Sequence, residues 1–558
     1  MLEMRDVTVG YHDPILRSVS LTVDKGERLA VLGANGSGKS TLLRCACAQI
    51  DVQQGVLVLD GVPVVDRASR TGLRERVGYV GQDPDDQMVS SLVFDEVAFG
   101  PCNLGWKPER IREAVRRSLA LCELTGFDDR DVSTLSGGQR QRVAIAGVLA
   151  MEPDYLLLDE PCAMLDALSR SSVTYALERA HEAGTAIVQV THELEDVLAY
   201  DRLVVLGEGG LAWEGSPTEF VLDDAAVRKS GCLVSDWLKL ARTLIKEGLL
   251  SEDADLTDPC SCAAQVFARG TAREIAELLP GEGLCPRGCR TPGQLVKEAL
   301  MADEVAFSYG VRRGAEATVR NVNVKLESGR VVLMVGVTGS GKSTVAKLLS
   351  GLLRPGRGEV TLAARPVEAG QVGYSFQSAD DQLFADTVLA DVAFGPKNVG
   401  LTADEAERRA RRALRRVGMD PDLYGSRSPF ALSGGQRRRV ALAGVFALES
   451  PFVVLDEPTV GLDASGLADL ERMVRELTAA GAGVLMVSHD LDRLLPLADD
   501  VVAMAEGEVL WSGSAEELSG QPDRLGGWGV AAFSRLREFQ NELRRLRDLK
   551  KGSALDAR

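Results

Sequence analysis

The fold is decided by the stretch Gly33-Ala34-Asn35-Gly36-Ser37-Gly38-Lys39-Ser40, a Gly-x-x-x-x-Gly-Lys-Ser loop. An apolar, strand-like run at residues 28–32 leads into the loop, and a helix-like segment begins at Lys39. This order of strand, loop and helix is the context in which such a loop holds phosphate groups. The same loop recurs at residues 336–343, after the apolar run at residues 330–335.

Further motifs follow both loops in the same order, which indicates a duplication. Matching positions differ by 303 at Gly33 and Gly336, and by 295 at Gln82 and Gln377. The difference is 297 at the three later motifs: Leu-Ser-Gly-Gly-Gln at 135–139 and 432–436, Leu-Asp-Glu-Pro at 158–161 and 455–458, and His192 and His489. The sequence therefore predicts two homologous domains, the second shorter by about eight residues between its first two motifs.

Length and composition predict a multidomain globular chain. It has 558 residues, of which 45% are hydrophobic and 26% are charged. We expect a cytosolic chain, because no apolar stretch approaches the roughly 18 to 20 residues of a membrane helix and residues 1–5 lack a signal-peptide pattern. The net charge of −17 disfavours non-specific binding to nucleic acid or anionic lipid. Any membrane attachment is expected to come through a protein partner.

The ten cysteines are expected to be reduced thiols in such a chain. Cys260 with Cys262 and Cys285 with Cys289 leave a tetrahedral metal site open as an alternative. Neither pair has the common two-residue spacing of zinc ligands.

Four segments are expected along the chain: a first domain at residues 1–216, a helical appendage and linker at 217–300, a second domain at 301–520 and a C-terminal helical appendage at 521–558. Apolar residues at helical spacing mark both appendages. These helices could cap the domain that they follow or form a dimer or partner surface. Charged helical sequence at residues 108–122 and 403–417 predicts a helical subdomain in each half.

The loop residues suggest how a nucleoside triphosphate would be held. Lys39 and Lys342 would reach the β and γ phosphates, and the hydroxyls of Ser40 and Ser343 would bind Mg²⁺. Glycines allow the backbone N–H groups of each loop to turn toward the phosphates.

Carboxylates follow a second apolar strand in each half. Asp159 and Asp456 close these strands, which places them at the sheet edge where Mg²⁺ and its water could be held. Glu160 and Glu457 come next and are placed to deprotonate an attacking water.

The chain has four histidines, and two of them occupy matching positions after a third apolar strand. His192 and His489 are expected to contact a γ phosphate and to respond to its loss.

With these motifs, the sequence resembles the ATP-binding cassette (ABC) superfamily over about 430 residues, as two complete cassettes. The resemblance implies an α/β fold with two P-loop NTPase (ABC cassette) domains. Each would have a RecA-like core, a helical subdomain and an antiparallel β subdomain, with helical C-terminal appendages. It implies ATP hydrolysis with ATP and Mg²⁺ as ligands.

The resemblance also assigns roles residue by residue. Tyr11 and Tyr309 match the aromatic residue that stacks on adenine, and Asp166 and Asp463 match an aspartate that links the two sites. Catalytic roles are implied for Glu160, Glu457, His192, His489, Gln82 and Gln377. Nucleotide contacts are implied for Tyr11, Gly33, Asn35, Gly36, Gly38, Lys39, Ser40, Thr41, Ser136, Gly138 and Gln139, and for Tyr309, Gly336, Gly339, Gly341, Lys342, Ser343, Thr344, Ser433, Gly435 and Gln436. Metal contacts are implied for Ser40, Gln82, Asp159, Ser343, Gln377 and Asp456.

In this family two cassettes face each other head to tail. The resemblance therefore implies that Ser433 and Gly435 complete the site built on Lys39, and that Ser136 and Gly138 complete the site built on Lys342.

A narrower resemblance lies at residues 82–105 and 377–400, which are similar to the ATPases of energy-coupling factor (ECF) transporters. It implies an importer of vitamins or transition-metal ions, with a transmembrane coupling subunit and a substrate-binding membrane subunit as separate chains. The chain would then sit at the cytoplasmic face of the membrane. The acidic pairs Asp85-Asp86 and Asp380-Asp381 could face basic helices of a membrane partner or simply cap a helix.

Two alternatives remain. A ribosome-associated tandem ABC protein also lacks membrane helices, but its linker should be basic, and residues 217–300 contain ten Lys or Arg against thirteen Asp or Glu. The tandem ATPase of a sugar importer typically alters its signature motifs, and both are intact here.

The first half has Cys162-Ala163-Met164 where the second has Thr459-Val460-Gly461, which puts the symmetry of the two sites in doubt.

Overall fold

The computed structural model describes residues 1–11, 13–162, 165, 167–271, 298–309, 318–460, 462–519 and 535–556. The chain divides into two units, Met1–Leu279 with Ser534–Arg558, and Pro280–Phe533. Each unit contains one copy of the duplicated motifs. Both copies have the predicted α/β fold, with one six-stranded and one four-stranded sheet.

The first unit builds its larger sheet in the order β10-β9-β3-β8-β7-β6. All neighbours pair in parallel except β10, which is antiparallel to β9. Every residue of β7 and β8 is buried, as expected for strands covered on both faces. The strands are β3 Arg28–Gly33, β6 Val77–Val80, β7 Tyr155–Asp159, β8 Ala186–Val190, β9 Arg202–Gly207 and β10 Gly210–Gly215.

A smaller antiparallel sheet of the first unit has the order β2-β1-β4-β5. Its strands are β1 Leu2–Gly10, β2 Pro14–Val23, β4 Gln54–Leu59 and β5 Val62–Pro63. Alternate residues of β2 are buried, and Leu16, Val19 and Leu21 share a core with Val31 of β3. This shared core fixes the small sheet against the larger one.

The helices of the first unit cover the larger sheet and form the predicted helical subdomain. They are α1 Lys39–Ala46, α2 Arg67–Arg76, α3 Val93–Asn103, α4 Pro108–Leu121, α5 Gly137–Leu149, α6 Ala167–Glu182, α7 Pro217–Leu222, α8 Asp224–Ser230, α9 Asp236–Lys246 and α10 Pro259–Arg269. Short 3₁₀ turns lie at Val132–Thr134 and Leu194–Val197. Val97 of α3, Val115 of α4 and Ile145 of α5 meet in one buried cluster, which holds the subdomain together.

The second unit repeats this plan. Its sheets have the orders β16-β17-β18-β13-β19-β20 and β12-β11-β14-β15. The strands are β11 Ala299–Phe307, β12 Val319–Glu327, β13 Val331–Val335, β14 Arg357–Leu362, β15 Arg365–Pro366, β16 Val372–Ser375, β17 Phe452–Asp456, β18 Gly483–Val487, β19 Asp500–Ala505 and β20 Glu508–Ser514. The helices are α11 Lys342–Leu349, α12 Val388–Asn398, α13 Ala403–Arg416, α14 Pro421–Tyr424, α15 Gly434–Ala447, α16 Ala464–Ala479, α17 Leu491–Leu494 and α18 Ala515–Ser519, with 3₁₀ turns at Pro429–Ala431 and Leu495–Leu497.

The appendage of the first unit packs on its own sheet and on the last helix of the chain. Trp237 of α9 is fully buried in a cluster that includes Leu32 of β3. The C-terminal helix α19, Arg535–Asp556, contributes Phe539 and Leu543 to the same cluster, and the rings of Trp237 and Phe539 are 5.1 Å apart. The helix that follows the second half in sequence is therefore part of the first unit.

Two sequence expectations concern membranes and metals. None of the described helices combines the length and the apolar character needed to span a bilayer. Cys260 is exposed and Cys262 is buried, whereas Cys285 and Cys289 lie outside the described residues. The described residues contain no group of three or more His, Cys, Asp or Glu side chains arranged to hold a metal ion.

Candidate nucleotide sites

The phosphate-binding loop of each half connects a central strand to a helix. In the first half β3 ends at Gly33 and α1 begins at Lys39. Gly33 has a φ of 150°, and a Cβ atom there would lie 2.6 Å from the carbonyl oxygen of Leu206. Gly336 has a φ of 153°, and its Cβ would lie 2.1 Å from the carbonyl oxygen of Met504. Close backbone approach therefore requires glycine at the first position of both loops.

The loop lysines are buried and turned toward the carbonyls of their own loops. Lys39 Nζ donates to the carbonyls of Gly33 and Ala34 at 2.8 and 3.1 Å. Lys342 Nζ donates to the carbonyls of Gly336 and Val337 at 2.7 and 2.8 Å. Each loop thus holds a buried cation at its centre, which is the arrangement that a polyphosphate needs.

A buried hydroxyl in the first loop supports the fit of a phosphate group. Ser37 Oγ has no hydrogen-bond partner among the described residues, and a Cβ on Gly36 would meet nothing within 4 Å. Phosphate oxygens would satisfy the orphaned hydroxyl and occupy the open side of the loop. Asn35, Gly38 and Thr41 lie in the same loop and first helical turn, as Gly339, Gly341 and Thr344 do in the second half.

The serine and the aspartate predicted to bind magnesium meet in each half at the end of the second buried strand. Ser343 Oγ donates to Asp456 Oδ1 at 3.2 Å, and Tyr374 Oη donates to Oδ2 at 2.8 Å. In the first half the Ser40 hydroxyl is hydrogen bonded to Asp159, and Tyr79 Oη lies 3.5 Å from that carboxylate. This pair of hydroxyl and carboxylate oxygens has the donor chemistry that Mg²⁺ prefers.

Burial raises the pKa of both aspartates, and their hydrogen bonds oppose this rise. The hydroxyl of Ser40 lowers the pKa of Asp159, and Tyr374 and Ser343 lower that of Asp456. A bound divalent cation would favour the ionised carboxylates further.

The two glutamates have an unusual backbone conformation. Glu160 and Glu457 follow their strands with φ of 50° and 48°, in the left-handed region that side chains other than glycine rarely adopt. Their backbone N–H groups donate to the carbonyls of Val190 and Val487 at 3.0 and 2.8 Å. Such backbone strain is concentrated at functional sites, because it aims a side chain that a regular strand would not.

Each glutamate is paired with the histidine predicted for its half. His192 Nε2 lies 2.8 Å from Glu160 Oε1, and His489 Nδ1 lies 3.0 Å from Glu457 Oε2. Burial alone would raise the pKa of both glutamates, but the hydrogen bond and charge of the histidines outweigh it and lower the pKa of each. Ionised glutamates can accept a proton from a water molecule.

The glutamine loops of the two halves have different partners. Gln82 Nε2 donates to Glu160 Oε2 at 3.2 Å, so the first half brings Gln82, Glu160 and His192 together. In the second half the backbone carbonyl of Gln377 accepts a hydrogen bond from Arg438 at 2.8 Å.

The signature motifs begin the helices α5 and α15. Ser136 caps α5: its Oγ accepts from the backbone N–H of Gln139 at 3.3 Å, and Gln139 Oε1 accepts from the Ser136 N–H at 3.0 Å. Ser433 and Gln436 form the same capping box. Gly138 and Gly435 lie in the first turns, where helix N–H groups can bind an anion. Their contribution to the opposite site stays a prediction.

The tyrosines predicted to stack on adenine are exposed and tied to the loop helices. Tyr11 is 58% exposed, and its hydroxyl accepts from Arg44 at 3.1 Å. Tyr309 is 60% exposed, with its hydroxyl 3.4 Å from Thr344 Oγ1. Asp463 caps α16 by accepting from the Gly466 N–H at 2.9 Å, while Asp166 lies outside the described residues.

The acidic pairs after the glutamines lie in turns that precede α3 and α12 by several residues. Asp85 forms an ion pair with Arg140 at 2.6 Å, and Asp380 forms one with Arg437 at 2.8 Å. These contacts connect the glutamine loops to the helices that the signature motifs begin.

Sequence motifs did not point to a linker segment that touches the first site. The backbone N–H of Leu233 donates to the carbonyl of His192 at 3.1 Å. Gly231 lies against the phosphate loop: its φ is 67°, and a Cβ there would lie 3.0 Å from the Cβ of Ala34. No motif marks this contact, because it uses backbone groups.

Comparison with known proteins gives one family. The family model described as ABC transporter matches residues 16–163 and 319–460. A provisionally named ABC transporter ATP-binding protein of Methanosarcina mazei is 32% identical over 556 residues, which cover 95% of this chain and 92% of that protein.

A further relative and a solved structure carry more specific names. The Bacillus subtilis (strain 168) protein YkoD, provisionally named as an HMP/thiamine import ATP-binding protein, is 30% identical over 94% of this chain and 93% of its own length. The solved structure of cbiO1 from Clostridium perfringens, titled as part of the ABC transporter complex cbiONQ, is 35% identical over 41% of this chain and 93% of its own, with a TM-score of 0.38.

Proposed function

The chain belongs to the ABC transporter family, and from that premise we propose that it powers a membrane importer of the ECF type. As a tandem ABC ATPase it would bind and hydrolyse ATP with Mg²⁺. In the proposal it lies at the cytoplasmic face of the membrane and drives uptake of vitamins or transition-metal ions through separate membrane subunits. The import role in the name of YkoD supports this direction.

The observation that carries the proposal is an apolar pair exposed at matching positions of both halves. Val89 and Phe99 in the first half are 62% and 49% exposed, and Phe384 and Phe394 in the second are 57% and 44% exposed. Phe384 and Phe394 each lie 295 residues after their counterparts, Val89 and Phe99. The duplication has therefore kept apolar side chains where solvent would favour polar ones. We call Val89 with Phe99, and Phe384 with Phe394, the two docking pairs.

The surroundings of the docking pairs fit a membrane subunit with basic cytosolic helices. The rings of Phe384 and Phe394 stack edge to face with centroids 4.6 Å apart, which makes a compact apolar spot. Asp86 and Asp381 are exposed on the same loops. An apolar spot beside negative charge complements an amphipathic basic helix.

The proposed chemistry uses side chains of both halves. Water would attack the γ phosphorus of ATP in line, and inorganic phosphate would form with ADP as the leaving group. Glu160 and Glu457 would accept the water proton, and His192 and His489 would hold the glutamates and contact the γ phosphate. Ser433 and Ser136 would complete the site of the opposite half.

The test compares recovery of membrane subunits by the wild type and two double variants. Phe99→Ser with Phe394→Ser should lower recovery from detergent-solubilised membranes at least about tenfold, because central aromatic contacts dominate interface energies. The matched control, Val65→Ser with Leu510→Ser, removes exposed apolar residues elsewhere, since these are 70% and 49% exposed. The ATPase activity in detergent should stay near wild type in both. Full recovery by the docking-pair variant would contradict the proposal.

A second test changes the charge of Asp86 and Asp381, which form no ion pair within the described part of the chain. Asp86→Lys with Asp381→Lys should also weaken recovery, because lysine would face a basic helix. Asp85 and Asp380 are unsuitable for this arm, since their replacement would also break the ion pairs with Arg140 and Arg437. Stronger ribosome sedimentation of the lysine variant, with no membrane subunit recovered by either the variant or the wild type, would favour the ribosome-associated alternative.

A further inference from the structure

Arg438 is a buried cation that no motif assigned to the site. It lies on α15, five residues after Ser433, and is 4% exposed. Its Nη1 atom donates to the carbonyls of Phe376 and Gln377 at 2.5 and 2.8 Å. Its Nη2 atom donates to the carbonyls of Asp456 and Glu457 at 3.1 and 2.8 Å.

These four hydrogen bonds join two loops that the reaction uses. Phe376 and Gln377 begin the glutamine loop, whereas Asp456 ends the strand β17 and Glu457 follows it. A planar guanidinium with several fixed donors can hold four carbonyls at once, which a flexible ammonium cannot do. The charge is compensated by carbonyl dipoles and by the nearby carboxylates of Asp456 and Glu457. Burial lowers the pKa of Arg438 to about 10, and those two carboxylates oppose the shift, so Arg438 remains charged at neutral pH.

The first half has Gln141 at the matching position, 297 residues earlier. Gln141 is also buried, at 4% exposure, but its Nε2 atom has no hydrogen-bond partner among the described residues. The first half instead joins the same two loops through the side chain of Gln82, which donates to Glu160 Oε2 at 3.2 Å. That bond uses the amide and the carboxylate that the reaction itself needs.

We propose that Arg438 is a positioning residue of the second half, which fixes the backbone of the glutamine loop to the backbone that carries Glu457. Because the guanidinium holds only backbone carbonyls, the side chains of Gln377 and Glu457 stay available for metal and water. Among the described residues the first half lacks this backbone connection, and its glutamine loop is joined to Glu160 through side chains, by the hydrogen bond from Gln82. The proposal rests on the proposed role of Glu457 as the base.

The first arm of the test measures backbone protection without nucleotide. Hydrogen–deuterium exchange is compared for the wild type, Arg438→Gln and Arg438→Lys. Arg438→Gln should speed exchange about tenfold in peptides spanning residues 376–379 and 457–460, with Arg438→Lys in between. Peptides spanning residues 81–84 and 160–162 of the first half should not change, and they are the internal control.

The second arm separates turnover from binding. In a Glu160→Gln background, the remaining hydrolysis belongs to the second half. There, Arg438→Gln should lower kcat about 10- to 100-fold and change KM for ATP less than about threefold, because a displaced base slows chemistry more than binding. Arg438→Lys should recover part of kcat. The reciprocal variant, Gln141→Arg in a Glu457→Gln background, should slow exchange at residues 81–84, because it places an arginine at the position that matches Arg438. This variant remains informative even if Arg438→Gln folds poorly.

The outcomes separate this proposal from the role of the glutamates. Unchanged exchange at residues 376–379, or faster exchange with wild-type kcat, would overturn the positioning role of Arg438. Equal loss in kcat and in ATP affinity would also overturn it, since that pattern indicates a general structural role. If Glu160→Gln with Glu457→Gln keeps its turnover, the assignment of the bases fails, whereas the exchange results still decide whether Arg438 joins the loops.

Discussion

The two halves carry the same predicted catalytic and metal-binding side chains, yet different neighbours hold those side chains. In the second half Arg438 joins the glutamine loop to the carboxylate loop through backbone carbonyls, whereas in the first half Gln82 bonds directly to Glu160. The first half also has a linker segment, including Leu233, against its histidine loop. Duplication thus preserved the groups predicted to act on ATP more strictly than the groups that position them.

One ion pair shows how far the supporting residues can diverge. Glu27, just before β3, bonds to Arg202 at the start of β9 at 2.7 Å. The matching residues of the second half are Arg330 and Asp500, paired at 2.8 Å with the charges exchanged. The contact survived while both of its residues changed sign, so geometry rather than residue identity was retained.

The largest effect is expected when the glutamates that both halves share, Glu160 and Glu457, are replaced together. Glu160→Gln with Glu457→Gln should bind ATP but hydrolyse it at least about 100-fold more slowly, because no carboxylate remains to accept the water proton. Steady-state hydrolysis and equilibrium ATP binding measure the two quantities. The control is Glu152→Gln with Glu449→Gln, which replaces surface glutamates at equally matched positions with positive φ. Near-normal turnover in the first variant would exclude the glutamates as bases.

A second variant asks whether the halves serve each other. Ser433→Arg should lower nucleotide trapping at the Lys39 site at least about tenfold, because a hydrogen bond to a charged phosphate is lost and a cation intrudes. Photolabelling with proteolytic mapping assigns trapped nucleotide to each half, and Ser136→Arg is the reciprocal control. Loss confined to the Lys342 site would contradict the head-to-tail pairing.

The linker contact should affect the first half alone. Leu233→Pro removes the N–H that donates to the His192 carbonyl, whereas Leu233→Ala keeps it. The proline variant should lower the preference of the first site for ATP over ADP about fivefold, since His192 is expected to contact the γ phosphate. Competition of ADP against a photoreactive ATP analogue measures this preference. An equal effect of the alanine variant would assign the loss to side-chain packing.

The smallest effect concerns the exchanged ion pair. Glu27→Arg should destabilise the protein by about 1 kcal/mol, and adding Arg202→Asp should restore most of that, because the first half then carries the pair of the second half. Thermal unfolding of Glu27→Arg, of Arg202→Asp and of the double variant gives the coupling free energy between the two positions. Additive losses would show that the two positions are independent.

The sequence motifs could predict those parts of the candidate site that lie at the ends of neighbouring strands. Asp159, Glu160 and His192 follow neighbouring parallel strands, so their gathering at one sheet edge follows from topology. The sequence could not predict Arg438, because an arginine among three in a row is more often exposed than buried. It could not place Phe539 against Trp237 either, since a contact between residues so far apart in sequence leaves no local pattern.

We propose that this tandem ATPase works on a membrane partner, and co-purification from membranes is the decisive experiment. The tagged chain, carrying Glu160→Gln and Glu457→Gln to retain ATP, would be isolated from detergent-solubilised membranes, and the accompanying proteins would be identified and quantified by mass spectrometry. We expect integral membrane proteins in amounts comparable to the chain, and we expect their loss in the Phe99→Ser with Phe394→Ser variant. Recovery of ribosomal proteins with no integral membrane protein would contradict it.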